Sequence, residues 1–257
     1  SSAYYAAKNM TLHDAAVAKL DLVCKKLDLQ PHDHLLEIGT GWGGLALHAA
    51  RNYGCRVTTT TISDEQYRLA SQRIKDEGLD HSVTVLKQDY RDLNGQYDKL
   101  VSIEMIEAIG HQYMNTYFEK CCSLLKPDGT MLIQAITIKD QLYKSALKDV
   151  DFIKKYIFPG GFLPSIEAMS KAIGKYTDMK VFHLQDIGPH YARTLKDWRE
   201  RFFSKLDEIR ALGYSDEFIR LWEYYFCYCE GGFMERDIGT VQMLLTRPDN
   251  RREPVAI

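Results

Sequence analysis

A short apolar stretch followed by closely spaced glycines carries the clearest chemical signal in this chain. Residues 35–38 (LLEI) have the composition of a buried strand, and Gly39, Gly41 and Gly44 follow it directly. Because glycine has no side chain and tolerates positive φ, such a strand-to-helix turn lets backbone N–H groups approach a nucleotide-like ligand. The pattern favours an enzyme that transfers a group from a small molecule.

The glycine spacing fits two classes of cofactor. It satisfies the GxGxxG fingerprint of dinucleotide oxidoreductases, but Glu37 precedes Gly39 by two positions and gives the ExGxG form typical of S-adenosylmethionine (SAM) enzymes. The next predicted strand, RVTTTT at 56–61, ends without the acidic residue that a dinucleotide enzyme uses to bind a ribose. These two features favour SAM over NAD.

A sheet must position this turn, and the rest of the chain has the alternation that builds one. The predicted strands are 34–39, 56–61, 83–88, 97–103, 130–136, 179–187 and 239–245, and the predicted helices are 44–53, 64–77, 113–125, 195–211 and 216–234. A capping box at Thr11 and Asp14 starts an earlier helix, and LLKPDG at 124–129 is a predicted turn. The alternation predicts parallel βαβ units in a Rossmann-like α/β sheet.

Residues 139–165 interrupt the alternation. Their second part, KKYIFPGGFLPS at 154–165, is aromatic and contains two prolines and two glycines, which predicts a lid or pocket wall inserted after the fifth strand. A chain of 257 residues with 45% hydrophobic content can bury one full core, so we expect a single domain over 1–257. Because the chain starts at Ser1 without a methionine, we also expect that an N-terminal extension precedes it in the whole protein.

Composition and charge argue against several classes of function. A net charge of −2 and a pI near 6.4 do not suit nucleic-acid binding, which needs a basic excess. No apolar run reaches the roughly 20 residues that span a bilayer, and no secretory signal opens the chain, so a cytoplasmic protein is predicted. The six cysteines have neither CxxC nor zinc-like spacing, which predicts reduced thiols and no metal site.

Ligands of open α/β sheets bind beyond the carboxyl ends of the strands. This rule collects the candidate SAM contacts Gly39, Thr40, Gly41, Trp42, Thr61, Ile62, Gln66, Asp89, Tyr90 and Arg91. Asp89 or Gln88 has an acceptor oxygen suited to the adenine amino group. A turn or cap role for Asp89 is equally consistent with its position.

With these residues on the page, the chain resembles the cyclopropane-fatty-acyl-phospholipid synthase family, which includes the mycolic acid cyclopropane synthases. The resemblance runs nearly end to end, and the motifs IFPGGFLPS (157–165) and HYARTL (190–195) are specific to that family. The other shared motifs are SSAYY, LEIGTGWGG, TISDEQ, QDYRDL, VSIEMIEAIG and CEGGFMERDI. The resemblance implies a seven-stranded class I SAM-dependent methyltransferase fold, with Ser1 as a further SAM contact.

Enzymes of this family transfer the SAM methyl group to a carbon–carbon double bond of a lipid acyl chain and leave a carbocation that must lose a proton. The implied substrate is the unsaturated acyl chain of a phospholipid, reached by transient peripheral contact with the inner face of a membrane. Water would trap the cation, so an apolar pocket is expected. Its candidate residues are Ile136, Tyr156, Phe158, Gly160 and Phe162. A homodimer and a partner reductase are left open.

The resemblance also implies a bound bicarbonate as the base, held by a cysteine, a glutamate, a histidine, a tyrosine and the backbone of an isoleucine. Three of these positions match, as Glu107, Tyr191 and Ile136. The cysteine position is Ser2 and the histidine position is Gln134. Both replacements can still donate hydrogen bonds to an anion, so bicarbonate stays open as a second cofactor.

Two further departures bear on the chemistry. Glu104 stands where relatives usually have glycine; it either shifts the position of the base or forms a structural ion pair with a cation such as Arg91. Proton loss from the transferred methyl closes a cyclopropane, whereas loss from a neighbouring chain carbon gives a methylene or methyl-branched chain. Cys229 matches a family cysteine, but helix packing is favoured because alkene methylation needs no thiol intermediate.

Two other functions stay open. One is a methyltransferase for a soluble metabolite with an oxygen or nitrogen nucleophile, which would need a polar pocket. The other is a non-catalytic lipid- or SAM-binding module, suggested by the altered residues at positions 2 and 134.

Overall fold

The β-rich runs of the sequence form one seven-stranded sheet in the computed structural model, which describes residues 1–255. The strands are β1 (His34–Ile38), β2 (Arg56–Thr61), β3 (Val83–Lys87), β4 (Tyr97–Ile103), β5 (Leu125–Ile138), β6 (Lys180–Asp186) and β7 (Ile238–Thr246). Their order is β3-β2-β1-β4-β5-β7-β6, with β7 antiparallel to both neighbours and the other pairs parallel. The predicted Rossmann-like α/β fold with seven strands is confirmed.

Nine helices of the described chain flank or extend this sheet: α1 (Leu12–Leu27), α2 (Gly44–Tyr53), α3 (Asp64–Asp76), α4 (Met114–Ser123), α5 (Asp140–Ala146), α6 (Ile166–Tyr176), α7 (Gly188–Phe203), α8 (Leu206–Ala211) and α9 (Asp216–Met234). The predicted capping box opens α1, because Asp14 N donates to Thr11 Oγ1 at 3.1 Å. Within residues 1–255, no helix combines the length and the apolarity needed to cross a membrane.

Two predicted elements are wrong. The single helix expected over 195–211 is instead α7 and α8, and α7 begins earlier because Pro189 in its first turn has no N–H to satisfy there. The turn expected at 124–129 lies within β5, where pairing passes from Tyr97↔Leu125 to Lys99↔Thr130 and bulges the residues between. The segment after β7 holds this bulge, since Asp249 N donates to Pro127 O at 3.1 Å. The sequence reasoning also missed α6.

The alternating apolar residues of the central strands feed a separate core on each face of the sheet. One core contains Leu36, Leu100 and Ile133, covered by α4 and α6. The other contains Leu35, Val101 and Leu132, covered by α1 and α2. Strands buried on both faces are the expected consequence of helices on both sides of a mostly parallel sheet. The carboxyl ends of β1, β2 and β4 are therefore anchored in rigid structure.

The predicted insertion at 139–165 contains α5 and a π-helical turn over Ile153–Ile157. Its end is tied to the sheet, because Ile138 N donates to Pro164 O at 3.0 Å. Phe162 N donates to the Glu107 backbone carbonyl, also at 3.0 Å. The insertion therefore returns to the sheet beside one of the candidate catalytic residues.

Candidate active site

The glycine turn after β1 has the backbone that its residues predict. Gly39, Gly41 and Gly43 have φ values of 100°, 52° and 83°, all in the left-handed region that glycine tolerates. A Cβ atom placed on Gly41 would meet no atom within 4 Å, whereas one on Gly43 would lie 3.2 Å from the Ala70 Cβ of α3. Gly41 therefore leaves room for a ligand. Gly43, which the fingerprint does not include, allows the turn to pass close to Ala70 of α3.

Glu37 lies behind this turn and is connected to it by threonines. The Thr59 hydroxyl is 2.6 Å from Glu37 Oε2 and 2.8 Å from Thr40 Oγ1. Burial raises the pKa of Glu37 to about 7. The acidic residue that favoured SAM thus supports the turn from beneath in this structure.

Other predicted SAM contacts lie at the same edge of the sheet, around the glycine turn. Trp42 and Ile62 are 54% and 76% exposed, and they are available to cover a ligand above Gly41. Asp89 caps the short helical turn Tyr90–Asp92, and its two oxygens accept hydrogen bonds from Arg91. The cap role that the sequence left open is therefore present, and an adenine contact at Asp89 stays a prediction.

Glu104, at the end of β4, accepts hydrogen bonds from three parts of the chain. Its Oε1 accepts from Ser2 N at 2.9 Å and from Gln134 Nε2 at 2.8 Å. Its Oε2 accepts from the Tyr191 hydroxyl at 2.8 Å. Burial favours the neutral acid, but the positive charge of the Ser1 amino group, 3.6 Å from Oε2, and then these three donors hold the pKa of Glu104 below its usual value. Glu104 is therefore a buried carboxylate at neutral pH.

The backbone at Glu104 is unusual for this residue type. Its φ is 50°, in the left-handed region that glycine adopts freely. A side chain there costs about 1–2 kcal/mol. This backbone conformation suits the glycine that the resemblance implies here, and the Glu104 carboxylate is present despite the strain.

Glu107 lies on the short helical turn Ile106–Ala108, and its two carboxyl oxygens differ. Oε1 accepts a hydrogen bond from Ile136 N at 2.6 Å, whereas the buried Oε2 has no hydrogen-bond partner. Burial, and then repulsion from Glu104, raises the pKa of Glu107 to about 8. Two neighbouring carboxyl groups thus have pKa values pushed apart, as in sites that separate acid–base roles.

The donors expected to hold an anion are occupied by the protein's own carboxylates. Ser2 donates its backbone N–H to Glu104, whereas its hydroxyl donates to Ala3 O at 2.9 Å. Ser2 thus reaches Glu104 through its backbone, and a contact of its hydroxyl with a bound anion stays a prediction. The alternative of an ion pair at Glu104 is present with a different cation: Arg91 binds Asp89, and the Ser1 amino group lies 3.6 Å from Glu104 Oε2.

An aromatic cluster of α7 and α9 packs behind Glu104. The Tyr191 ring stacks on Phe233 with ring centroids 4.5 Å apart. Burial, and then the charge of Glu104, raises the pKa of Tyr191 well above its usual value, so its hydroxyl stays protonated and donates. Cys229 packs against this cluster, and burial raises its pKa to about 12. A thiol of that pKa is not a nucleophile at neutral pH, which supports the packing role.

The predicted pocket residues of the insertion separate into two groups. Tyr156 and Phe158 are 55% and 56% exposed. Phe162 is buried in the core, 6.2 Å from the His111 ring, and Gly160 has a φ of 82°. The structure therefore places Phe162 next to Glu107 and leaves the first two aromatic rings at the surface.

The sequence reasoning missed three buried polar residues near the site: Lys19, Lys26 and Gln242. Burial lowers the pKa of Lys19, while the charges of Glu104 and Glu37 oppose that change. The Lys19 amino group thus interacts electrostatically with both Glu104 and Glu37. One signal was available, because Gln242 interrupts the apolar run VQMLL of β7, and a polar residue in a buried strand calls for a partner.

Comparison with known proteins agrees with this architecture. A family model described as mycolic acid cyclopropane synthetase matches residues 1–243. The chain is 41% identical over 229 residues to the tuberculostearic acid methyltransferase of Mycobacterium tuberculosis, covering 89% of this chain and 53% of that protein. It is 42% identical over 236 residues to the cyclopropane-fatty-acyl-phospholipid synthase of Escherichia coli, covering 92% and 59%. The chain thus spans a little over half the length of these relatives.

Solved structures give the same result. The cyclopropane synthase MmaA2 from Mycobacterium tuberculosis superposes with a TM-score of 0.89 at 30% identity, over 96% of this chain and 89% of that one. A mycolic acid cyclopropane synthase complexed with SAH and CTAB gives the same TM-score, identity and coverage. The chain therefore belongs to the mycolic acid cyclopropane synthetase family of SAM-dependent methyltransferases, as its motifs predict.

Proposed function

We propose that this protein methylates a double bond in the unsaturated fatty acyl chain of a phospholipid. The observation that carries the proposal is the pair of buried carboxyl groups, Glu104 and Glu107, at the same sheet edge as the open glycine turn. The turn and its exposed neighbours Trp42 and Ile62 would hold SAM, which supplies an electrophilic methyl group when bound. Glu107 and Glu104 would then supply the two groups that the carbocation needs, a base to accept its proton and a negative charge to stabilise it.

Addition of a methyl cation to a double bond leaves a carbocation on the acyl chain, and the chain must then lose a proton. Glu107 is suited to accept that proton, because its Oε2 has no partner and its pKa of about 8 is close to neutral. Glu104 is suited to a different role. Held as an anion by three donors, it stabilises positive charge that develops nearby without having to reorganise.

Bicarbonate does not fit this arrangement. The donors assigned to it from the resemblance are Ser2, Gln134, Tyr191 and the Ile136 backbone, and each already donates to Glu104 or Glu107. A free anion would have to displace a carboxylate that is covalently part of the chain. We therefore expect the base to be internal to the protein.

The product depends on which proton is lost. Loss from the transferred methyl group closes a cyclopropane ring or, after a 1,2-hydride shift to the cationic carbon, leaves a methylene branch. Loss from a neighbouring chain carbon leaves a methyl-branched chain with a double bond. One feature favours the second outcome as an alternative: Glu104 places a carboxylate, with a φ of 50°, where the resemblance implies a glycine, so the arrangement of charge around the cation differs. The similarity to a tuberculostearic acid methyltransferase is in line with it.

Methyl-labelled SAM and vesicles of unsaturated phospholipid test the proposal directly. Using the whole protein, we expect label in the acyl chains by mass spectrometry, with the same rate in bicarbonate-free and bicarbonate-containing buffer. Ozonolysis of the product then distinguishes a ring, which resists cleavage, from a retained double bond. Label that is absent from lipid but enters small polar acceptors would instead support the soluble-metabolite alternative.

We further propose that the surface formed by α5 and the π-helical turn contacts the membrane. Val150, Tyr156 and Phe158 are exposed there, and the exposed lysines Lys144 and Lys148 lie in the same segment. Apolar side chains beside lysines are the combination that binds anionic lipid surfaces. This placement is consistent with the connection of the same insertion to Glu107 through Phe162.

Reversing two charges tests this membrane surface. Lys144→Glu with Lys148→Glu is expected to weaken binding to vesicles containing anionic lipid by about tenfold or more, at about 1 kcal/mol per lysine. The matched control is Arg68→Glu with Lys75→Glu on α3, which makes the same change in net charge on another exposed helix. Equal loss of vesicle binding by both double variants in a sedimentation assay would contradict the assignment.

A further inference from the structure

A continuous row of buried hydrogen bonds connects Lys26 of α1 to Glu104. Lys26 Nζ donates to Gln242 Oε1 at 2.7 Å, and Gln242 Nε2 donates to Gln134 Oε1 at 2.9 Å. Gln134 Nε2 then donates to Glu104 Oε1 at 2.8 Å. Lys26 is 1% exposed, and both glutamines are fully buried. The row thus crosses from a helix, through two strands, into the candidate active site.

The register of the sheet explains how the row forms. Gln134 of β5 and Gln242 of β7 are direct cross-strand partners, and Gln185 of β6 is the partner of Gln242 on its other side. Directly opposed side chains lie on the same face of a sheet. Lys26 also donates to Gln185 Oε1 at 2.5 Å. Lys26 therefore contacts two of three glutamines that lie in one row across the sheet, and the third, Gln134, leads to Glu104.

The chemistry of these groups gives the row one direction. An ammonium group can only donate, so Gln242 must present its oxygen to Lys26 and its NH₂ to Gln134. Gln134 must in turn present its oxygen to Gln242 and its NH₂ to Glu104. Glu104 favours the same direction while it is ionised, because a carboxylate can only accept. Without Lys26, both amides could rotate by half a turn and a protonated Glu104 could donate to the Gln134 oxygen, so Lys26 favours the ionised form of Glu104.

We propose that Lys26, acting through Gln242, is a positioning residue that sets the orientation of Gln134 and so holds Glu104 as an anion. This positioning role rests on the proposed function in one respect only, which is the role of Glu104 in methyl transfer. Lys26 takes no part in bond making. A buried lysine is costly unless it serves a partner, and burial lowers the pKa of Lys26 to about 8, so the residue is still largely protonated at neutral pH.

Two variants break the row at different points. Lys26→Met removes the donor that sets its direction. Gln242→Glu keeps the volume and the Lys26 contact but cannot donate to Gln134 while it is ionised. We expect each to lower kcat by about 10- to 100-fold, the range of a lost hydrogen bond to a charged group, with KM for SAM and lipid within twofold. Gln185→Leu is the matched control, because it removes a Lys26 acceptor that does not lead to Glu104.

A double variant separates positioning from general destabilisation. Once Gln134→Leu has removed the end of the row, adding Lys26→Met should not lower kcat further, since coupled residues are non-additive. A full additional loss in the double variant would overturn the proposal, as would equal kcat losses in Lys26→Met and Gln185→Leu.

The titration of Glu104 gives a readout that does not depend on catalysis. With ¹³C-labelled glutamate carboxyls, Glu104 is assigned by its absence in Glu104→Gln and followed by NMR against pH. We expect Lys26→Met and Gln242→Glu to raise its pKa and Gln185→Leu to leave it unchanged. If the wild-type protein methylated no acyl chain, the proposed function would fail. The change in the Glu104 pKa would still test the hydrogen-bonded row from Lys26 to Glu104. An unshifted Glu104 in an active enzyme would overturn the row alone.

Discussion

Replacing Glu107 with glutamine is expected to lower methyl transfer by about 10²- to 10⁴-fold, the usual contribution of a positioned general base, while SAM still binds. Glutamine can accept the Ile136 N–H bond as Glu107 Oε1 does, but it cannot take a proton from the cation. In the wild-type protein, only ionised Glu107 accepts a proton. The rate of methyl transfer should therefore rise with pH and reach half of its maximum near pH 8.

The same variant should also change stability, in a direction set by the pKa of Glu107. The folded protein keeps this proton up to a pH of about 8, whereas the unfolded chain releases it near 4.5. Between these values the folded state binds more protons, so wild-type stability should fall as pH rises, by on the order of a few kcal/mol. Glu107→Gln should lack this decline in urea unfolding.

Glu223→Gln, an exposed change on α9, is the control, and it should retain wild-type activity and the decline of stability with pH. Wild-type turnover by Glu107→Gln would exclude the base role.

Replacing Glu104 should have the second largest effect, and the choice of residue decides its form. Glu104→Gln removes the negative charge from the donor set, and we expect kcat to fall by about 10²- to 10³-fold, as for loss of one preorganised electrostatic contact. Because repulsion from Glu104 helps to raise the pKa of Glu107, the midpoint of the pH–rate profile should move below 8.

Glu104→Gly is expected to behave differently. It relieves the left-handed backbone strain and frees Ser2 N, Gln134 Nε2 and the Tyr191 hydroxyl to bind an anion. Added bicarbonate should therefore raise the rate of Glu104→Gly severalfold and leave the wild-type rate unchanged. The assay compares both proteins in carbonate-free buffer and after addition of bicarbonate. Equal stimulation of the two proteins would show that Glu104 does not replace a bound anion.

The features that sequence predicted well are local ones. The turn at Gly39 and Gly41 follows from glycines directly after an apolar strand, and the α1 cap follows from residues three apart. The donors of Glu104 are of another kind, because Ser2, Gln134 and Tyr191 lie 102, 30 and 87 positions away along the chain. Residue types suggested that they belong to one site, but only the fold shows that they meet on a carboxylate.

The missed features have a related cause. Gln242 looks like a single exception in an apolar strand, and Lys26 looks like one of several charged residues of an amphipathic helix. Each has its meaning only through the other, 216 positions away along the chain. The bulge in β5 was predicted as a turn because KPDG is a strong turn signal. Its backbone groups are instead hydrogen-bonded by the segment after β7. In both cases a distant part of the chain overrides the local pattern.

The contact made by Ser2 affects how this site can change during evolution. The group that reaches Glu104 is the main-chain N–H, and the N-terminal segment is fastened to α7 by similar contacts, since Ala3 N donates to Thr194 Oγ1 and Tyr5 N to His190 Nδ1, both at 3.1 Å. A backbone N–H donor is present whatever the side chain, provided that the backbone follows the same path. Any small residue other than proline supplies it, so serine can stand where the resemblance implies a cysteine without loss of the interaction.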